Sequence, residues 1–141
     1  MKKLILTIFI TLSSILLSFG QNIAELKQKA EQGDAKAQGV LGWCYFNGYG
    51  IKKDLREAVK WYRKSAEQGI AQAQYNLGVC YKKGEGVIQN YVKAYAWLAL
   101  ASANGDEYAK KAMDILRKDM TPHQIEEAQK LAEKYYNGKF D

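Results

Sequence analysis

Residues 41–50, LGWCYFNGYG, return 36 residues later as LGVCYKKGEG at residues 77–86. The correspondence continues downstream, where Trp61 is matched by Trp97 and Gly69 by Gly105. A fixed period of 20–50 residues is typical of stacked repeats, in which neighbouring units bury each other's apolar faces. Such proteins usually bind other molecules, so the period predicts a binding function without naming the ligand.

Each unit is expected to hold two helices. In the first, from about Ala35 to Phe46, apolar residues recur at i, i+4, i+7 and i+8, and two glycines then break the helix. Asp54 is predicted to cap the second helix in a capping box with Glu57, and Gly69 to end it. The expected buried stripe of this second helix is Ala58, Trp61, Tyr62, Ser65 and Ala66.

The flanking segments extend the same plan. Residues 22–33 form a partial unit, residues 34–69 and 70–105 two full repeats, and residues 106–137 a C-terminal capping hairpin. In that hairpin Thr121 is the predicted cap of the last helix, with Pro122 in the first helical position. The predicted fold is all-α: an α/α superhelix, or solenoid, of about six helices in about three stacked hairpins.

The first twenty residues have the layout of a secretory signal peptide. Two lysines precede an apolar stretch from Leu4 to Leu17, and small residues then stand before Gln21. An uncleaved membrane anchor is the alternative, but the apolar run is shorter than the roughly 20 residues that a spanning helix needs. We therefore expect a bacterial protein exported to the periplasm or beyond, with residues 21–141 as one domain and no stable membrane insertion.

The charge of the chain argues against nucleic-acid binding. The formal net charge is +6, of which Lys2 and Lys3 carry two, so residues 21–141 carry +4. These charges alternate with acids along the chain, whereas nucleic-acid binding requires a concentrated basic stripe.

The repeats resemble the Sel-one-like repeat (SLR) family, whose members are relatives of the tetratricopeptide repeats. The family pattern is approximately A-x-A-x-x-x-L-G-x-x-Y-x-x-G-x-G-V-x-x-D-x-x-K-A-x-x-W-Y-x-K-A-A-E-Q-G. Repeat one matches it at positions that include Leu41, Gly42, Tyr45, Gly48, Gly50, Asp54, Ala58, Trp61 and Gly69. Repeat two departs at Leu98 and Asn104. The resemblance implies a tetratricopeptide-like superhelix that serves as an adaptor for protein complexes, and the matching residues are almost all structural.

In tetratricopeptide-like stacks the first helix of each pair lines a concave face. If this holds here, the residues opposite the core stripe form a groove that is aromatic at one end and lysine-rich at the other. Aromatic side chains are favoured interface anchors, and lysines attract acidic partners. The candidates are Lys36, Gly39, Trp43, Phe46 and Asn47 from repeat one, Gln72, Tyr75, Val79, Lys82 and Lys83 from repeat two, and Tyr108, Lys111, Ile115 and Lys118 from the closing unit.

We expect this groove to bind a protein or peptide, an acidic or carboxylate-ended one in particular, and the chain to be monomeric. The alternative is that Trp43 and Phe46 only pack against a neighbouring helix or the N-terminal segment. A self-associating structural role through an incompletely capped end of the stack is a second alternative.

Catalysis, cofactors and metal binding are not expected. The hydroxyl side chains of Ser and Thr after residue 20 are Ser65, Ser102 and Thr121. His123 is the sole histidine, and a single histidine is too few for a zinc site. Some family members have been described as penicillin-binding or β-lactamase-like, but neither serine is followed by the lysine of S-x-x-K, so a cell-wall enzyme is disfavoured.

The two cysteines are expected to stay free. Cys44 and Cys80 occupy the same position in successive repeats. Equivalent helices lie on the order of 10 Å apart, and a disulfide tolerates a Cα separation of only about 7 Å.

Overall fold

The computed structural model describes residues 22–140, so the predicted signal peptide lies outside the described residues. Within this range the chain is all-α, as predicted. The helices are α1 (residues 22–31), α2 (Ala35–Asn47), α3 (Leu55–Glu67), α4 (Ala71–Lys83), α5 (Tyr91–Ala103), α6 (Glu107–Arg117) and α7 (Pro122–Tyr136). These are seven helices rather than about six, because the partial unit contributes one of its own.

Helix pairs form the layers of the stack. The first helix α2 packs on the second helix α3, α4 packs on α5, and α3 also contacts α4. The last pair is different, because α6 and α7 both pack against α5. The third layer therefore closes the stack around α5.

Polar caps define where the helices begin. Asp54 accepts from the amides of Arg56 and Glu57, and the hydroxyl of Thr121 accepts from the amide of Gln124 in a complete capping box. The predicted capping box at Asp54 is incomplete, because the Glu57 carboxylate accepts from Lys60 Nζ instead. The amide of Asp54 donates to the Tyr45 carbonyl, so it has a partner without Glu57.

A row of side-chain amides joins successive units, and we call it the glutamine ladder. In each rung a buried glutamine donates to a carbonyl eight residues earlier and accepts from an amide 30 residues later. The rungs join Gln38 to Ala30 and Gln68 (3.0 and 2.7 Å), and Gln74 to Ala66 and Asn104 (2.9 and 3.0 Å). Because buried amides need partners, the ladder sets the register between units.

The two repeated tryptophans differ in burial. Trp97 is fully buried, with the rings of Tyr135 and Phe140 4.6 and 5.4 Å from its own. Trp61 was predicted to lie in the buried stripe, but it is only half-buried, with Lys64 Nζ 4.5 Å above its ring. The described residues before α2 form only a half-unit. This half-unit covers a smaller part of the Trp61 side chain than the part of the Trp97 side chain that α7 and Phe140 cover.

Glycine allows the close approach within each helix pair. A Cβ at Gly42 would lie 2.7 Å from Tyr62 Cδ1, and one at Gly78 would lie 2.8 Å from Leu98 Cγ. These contacts bring the first helices close to the second helices, and the first helices in turn carry the candidate site.

Candidate functional site

Two clefts lie between α2 and α4, and together they form what we call the α2–α4 groove. The larger cleft, of about 540 Å³, is lined by Lys36, Gly39, Val40, Trp43, Ile70, Gln72, Ala73 and Asn76. The smaller, of about 240 Å³, is lined by Trp43, Phe46, Asn47, Tyr62, Tyr75, Asn76, Val79, Cys80 and Lys83. Because Trp43 and Asn76 line both clefts, the two are adjoining compartments of one groove.

Helical periodicity explains which residues reach the groove. On α2, positions 36, 39, 40, 43, 46 and 47 follow the i, i+3, i+4 and i+7 spacing of a single helix face. The opposite face of α2 carries Leu41 and Cys44, which are buried. One face of the helix therefore serves the core while the other lines the groove.

Aromatic rings extend across the groove and beyond it. The Trp43 side chain is 46% exposed, and its ring centroid lies 5.6 Å from that of Tyr49. Tyr75 lies 6.5 Å from the ring of Tyr108, which is 71% exposed and belongs to α6. Aromatic surfaces of this size, exposed in a row, mark interaction sites.

The alternative that Trp43 and Phe46 only pack against neighbouring elements fits Phe46 better than Trp43. Phe46 is half-buried, and its ring centroid lies 6.4 Å from that of Tyr62. The described residues of α1 pack elsewhere, with Leu26 beside the buried Leu41. Within residues 22–140, then, α1 leaves nearly half of the Trp43 side chain exposed.

The charged side chains of the two groove helices are all positive. Neither α2 nor α4 contains an acidic residue. Lys36 and Lys83 line opposite compartments, and neither takes part in an ion pair with the described residues, whose ion pairs lie on α1, α3 and α7. The nearest acids in sequence lie outside the two helices: Asp34 caps α2, and Glu85 follows α4.

Two amide contacts orient polar groups in the groove. Asn47 Nδ2 donates to the Trp43 carbonyl at 3.0 Å, within α2. Gln72 Nε2 donates to Asn76 Oδ1 at 3.2 Å, which leaves the N–H groups of Asn76 available as donors at the junction of the two compartments.

The structure brings most of the predicted groove residues together. The predicted residues that line the clefts are Lys36, Gly39, Trp43, Phe46, Asn47, Gln72, Tyr75, Val79 and Lys83. Lys82 is half-buried outside both clefts, where its carbonyl accepts from Gln89. On α6, Tyr108 adjoins the groove through Tyr75, whereas Lys111, Ile115 and Lys118 are exposed and line neither cleft.

Sequence reasoning missed Val40, Ile70 and Asn76. Val40 and Asn76 each lie four residues after a predicted groove residue, so a wider helical stripe would have included them. Ile70 precedes α4 as its N-cap residue, and no helical pattern identifies it.

Cys44 and Cys80 are free thiols, and both are buried. Burial raises the pKa of the Cys44 thiol, and it raises that of Cys80 to about 12. Both thiols are therefore protonated at neutral pH and poorly nucleophilic.

Over residues 22–140 no cluster of three or more His, Cys, Asp or Glu side chains is placed to bind a metal ion. No helix in that range has the length and apolar character to cross a membrane.

Paired helices in a periodic stack, with a groove between the first helices, define an α/α repeat protein, a fold used for protein interaction. The family model described as the Sel1 repeat matches residues 35–70 and 71–106, half of the chain. The chain therefore belongs to the Sel1 repeat family.

Similar proteins come from bacteria. The chain is 44% identical, over 69 residues, to the secretory immunoglobulin A-binding protein EsiB of Escherichia coli O6:H1; the match covers 46% of this chain and 14% of EsiB. The crystal structure of c5321, a protective antigen of uropathogenic Escherichia coli with an SLR fold, superposes with a TM-score of 0.83 at 35% identity. That match covers 85% of this chain and 26% of c5321, so the chain spans only a fraction of either relative.

A Sel1 repeat protein from Oxalobacter formigenes gives a TM-score of 0.62 at 43% identity, over 63% of this chain and 67% of that protein. These likenesses support the helical repeat fold.

Proposed function

We propose that this protein is an exported adaptor that binds a partner protein in the α2–α4 groove. The observation that carries the proposal is the exposed Trp43, which lies where the two compartments meet. A large aromatic side chain with neighbouring apolar surface is the kind of residue that dominates binding energy at protein interfaces. The groove would lie on the concave face of the superhelix.

Export is proposed from the sequence of residues 1–20, with their basic start and short apolar stretch. The periplasm and the extracellular space are both compatible with that signal. EsiB is named for binding secretory immunoglobulin A. Because the match to EsiB extends over 69 residues at 44% identity, we propose secretory immunoglobulin A as the first candidate partner to test.

A catalytic role is disfavoured by the placement of the hydroxyl groups. Ser65 is fully buried and donates to the Ala35 carbonyl at 2.7 Å, and Thr121 caps α7. A nucleophile has to be exposed and activated by an adjacent base. Ser65 is not exposed, and the Thr121 hydroxyl bonds the Gln124 amide, which is not a base. A binding protein without an enzymatic activity remains our proposal.

Site-specific photocrosslinking tests the proposal. A photoreactive phenylalanine analogue replaces Val40, which is 51% exposed in the groove, or Ile88, which is 90% exposed in the α4–α5 loop. Crosslinking is carried out on intact cell envelopes and, separately, with purified secretory immunoglobulin A. We expect a crosslinked partner from position 40 but not from position 88.

Trp43→Ala in the same background gives the second readout. Loss of a central aromatic anchor costs about 2 kcal/mol, roughly a thirtyfold loss of affinity, so the crosslink from position 40 is expected to disappear. Equal crosslinking from both positions, or a crosslink unaffected by Trp43→Ala in a folded protein, would contradict the groove. A crosslink from position 40 to a second copy of this chain would favour self-association over the expected monomer.

A further inference from the structure

The two groove lysines lie near opposite ends of the α2–α4 groove. Lys36 is in the first turn of α2, and Lys83 is the last residue of α4. Both side chains are exposed, and neither helix carries an acid. Cations at the two ends of a groove whose two helices carry no acid favour a ligand that carries an acid at each end.

The repeat gives the distance between these two charges. Lys83 is equivalent to Asn47, because α2 and α4 are copies 36 residues apart that both end at a left-handed glycine, Gly48 or Gly84. From position 36 to position 47 the helix rises about 16 Å, at about 1.5 Å per residue. The backbone positions of the two lysines are therefore offset by about 16 Å along the helix axes, in addition to the sideways separation of α2 and α4.

The middle of the groove is apolar. Val40 and Trp43 are about half exposed, and Ile70 and Ala73 complete the larger compartment. At its junction with the smaller one, Asn76 presents free N–H donors that a backbone carbonyl can use. An extended chain leaves its backbone carbonyls free to accept from Asn76, whereas a helical ligand uses its carbonyls internally.

We infer that the groove recognises an extended protein segment with two acidic residues about five positions apart and an aromatic or aliphatic side chain between them. An extended chain rises about 3.3 Å per residue, so five residues span the axial offset of about 16 Å, and the flexible lysine side chains reach across the width of the groove. One carboxylate pairs with Lys36 and the other with Lys83, while the central side chain packs on Trp43. This inference rests on the proposed function, because it describes the ligand of the same groove.

Synthetic peptides of fixed composition test the spacing. The test peptide carries a fluorescent dye, glutamates at positions i and i+5, a leucine between them and otherwise glycine and serine. A first control peptide has the two glutamates adjacent, and a second has glutamine at both positions. Binding to protein purified from cells that express the full chain is measured by fluorescence anisotropy at low and high salt.

An exposed ion pair contributes up to about 1 kcal/mol, a roughly fivefold change in affinity. We therefore expect the glutamine peptide to bind up to about 25-fold more weakly than the test peptide, and the adjacent-glutamate peptide, which can keep one ion pair, up to about fivefold more weakly. High salt should reduce these differences.

Three charge-neutralising variants assign the contacts. Lys36→Gln and Lys83→Gln should each weaken binding of the test peptide about fivefold and leave binding of the glutamine peptide unchanged. Lys134→Gln is the matched control for Lys83→Gln, because Lys134 also lies in the last turn of a helix but belongs to α7. It should change neither affinity.

Equal binding of the test and control peptides would overturn the inference, as would equal effects of Lys83→Gln and Lys134→Gln. If no peptide binds while the photocrosslink from position 40 persists and depends on Trp43, the inference is wrong and the proposed function stands. If that crosslink is absent as well, both are wrong.

Discussion

Replacing Gln74 with alanine should destabilise the fold markedly, although the side chain is uncharged. Gln74 is 1% exposed and belongs to the glutamine ladder. Its Nε2 donates to the Ala66 carbonyl at 2.9 Å, and its Oε1 accepts from Asn104 Nδ2 at 3.0 Å. One side chain thus joins α4 to the end of α3 and to the end of α5.

The expected loss of stability follows from those contacts. Each lost hydrogen bond contributes about 1 kcal/mol, and removal of the buried methylene groups adds about 1 kcal/mol. The Ala66 carbonyl keeps a partner in the Gly69 amide, so no further penalty for an unpaired carbonyl is expected. The total is about 3 kcal/mol, which for a domain of this size lowers Tm by roughly 12 °C.

Urea unfolding followed by circular dichroism measures this loss, with Gln72→Ala as the control. Gln72 lies two residues away on α4, is exposed, and bonds only within the helix to Asn76. Its replacement should change the free energy of unfolding by less than about 0.5 kcal/mol. If Gln74→Ala lowered the free energy of unfolding as little as Gln72→Ala does, at an unchanged m-value, the glutamine ladder would not hold the units together.

Three further predictions concern other parts of the fold. Gly78→Ala should cost about 1–2 kcal/mol of unfolding free energy, because its Cβ would lie 2.8 Å from Leu98 Cγ and the gain in helix propensity offsets only part of that clash. Burial raises the pKa of Cys80 from its ordinary 9.0 to about 12, so the folded chain holds this proton more tightly than the unfolded chain. Stability should therefore decline as pH rises from about 9 toward 12, and urea titrations across that range should show a smaller decline for Cys80→Ala. Thr121→Ala removes the cap that bonds the Gln124 amide, and it should cost about 1 kcal/mol and speed hydrogen exchange in the first turn of α7.

The local features of the fold could be predicted because they depend on short stretches of sequence. The cap at Asp54 and the capping box at Thr121 follow from residue types within four positions of each other, and the structure confirms both caps. The expectation of free cysteines rests on the repeat period, which places Cys44 and Cys80 at equivalent positions, together with the usual separation of stacked helices. In each case the spacing along the chain determines the geometry.

The burial of Trp61 and the placement of Lys82 and Lys111 could not be predicted in the same way. These depend on how far a helix is rotated toward its neighbours, which the period of a single helix does not determine. Trp61 and Trp97 hold equivalent positions in the repeat, but Lys60, Arg63 and Lys64 stand around Trp61 where α5 has Ala96, Ala99 and Leu100. Trp97 is also covered by the rings of Tyr135 and Phe140, and the described half-unit before α2 gives Trp61 no equivalent cover. Lys111 lies on α6, whose orientation is set by its packing on α5 rather than by the repeat.

The hydrogen bonds of the glutamine ladder can also form between further copies of the repeated unit. Because each rung repeats after 36 residues, a further copy of residues 70–105 placed after Gly105 would meet on its C-terminal side the α5–α6 contact that the fold already makes. On its N-terminal side it would form the repeat equivalent of the α3–α4 contact, with α5 in place of α3. The equivalent of Gln38 and Gln74 in the last unit is Lys110, which has no carbonyl to accept from a following amide, so the ladder ends there. Duplication of a unit within the array can thus lengthen the binding surface without changing the type of contact between units. The length of the surface can then evolve independently of the residues that recognise the ligand.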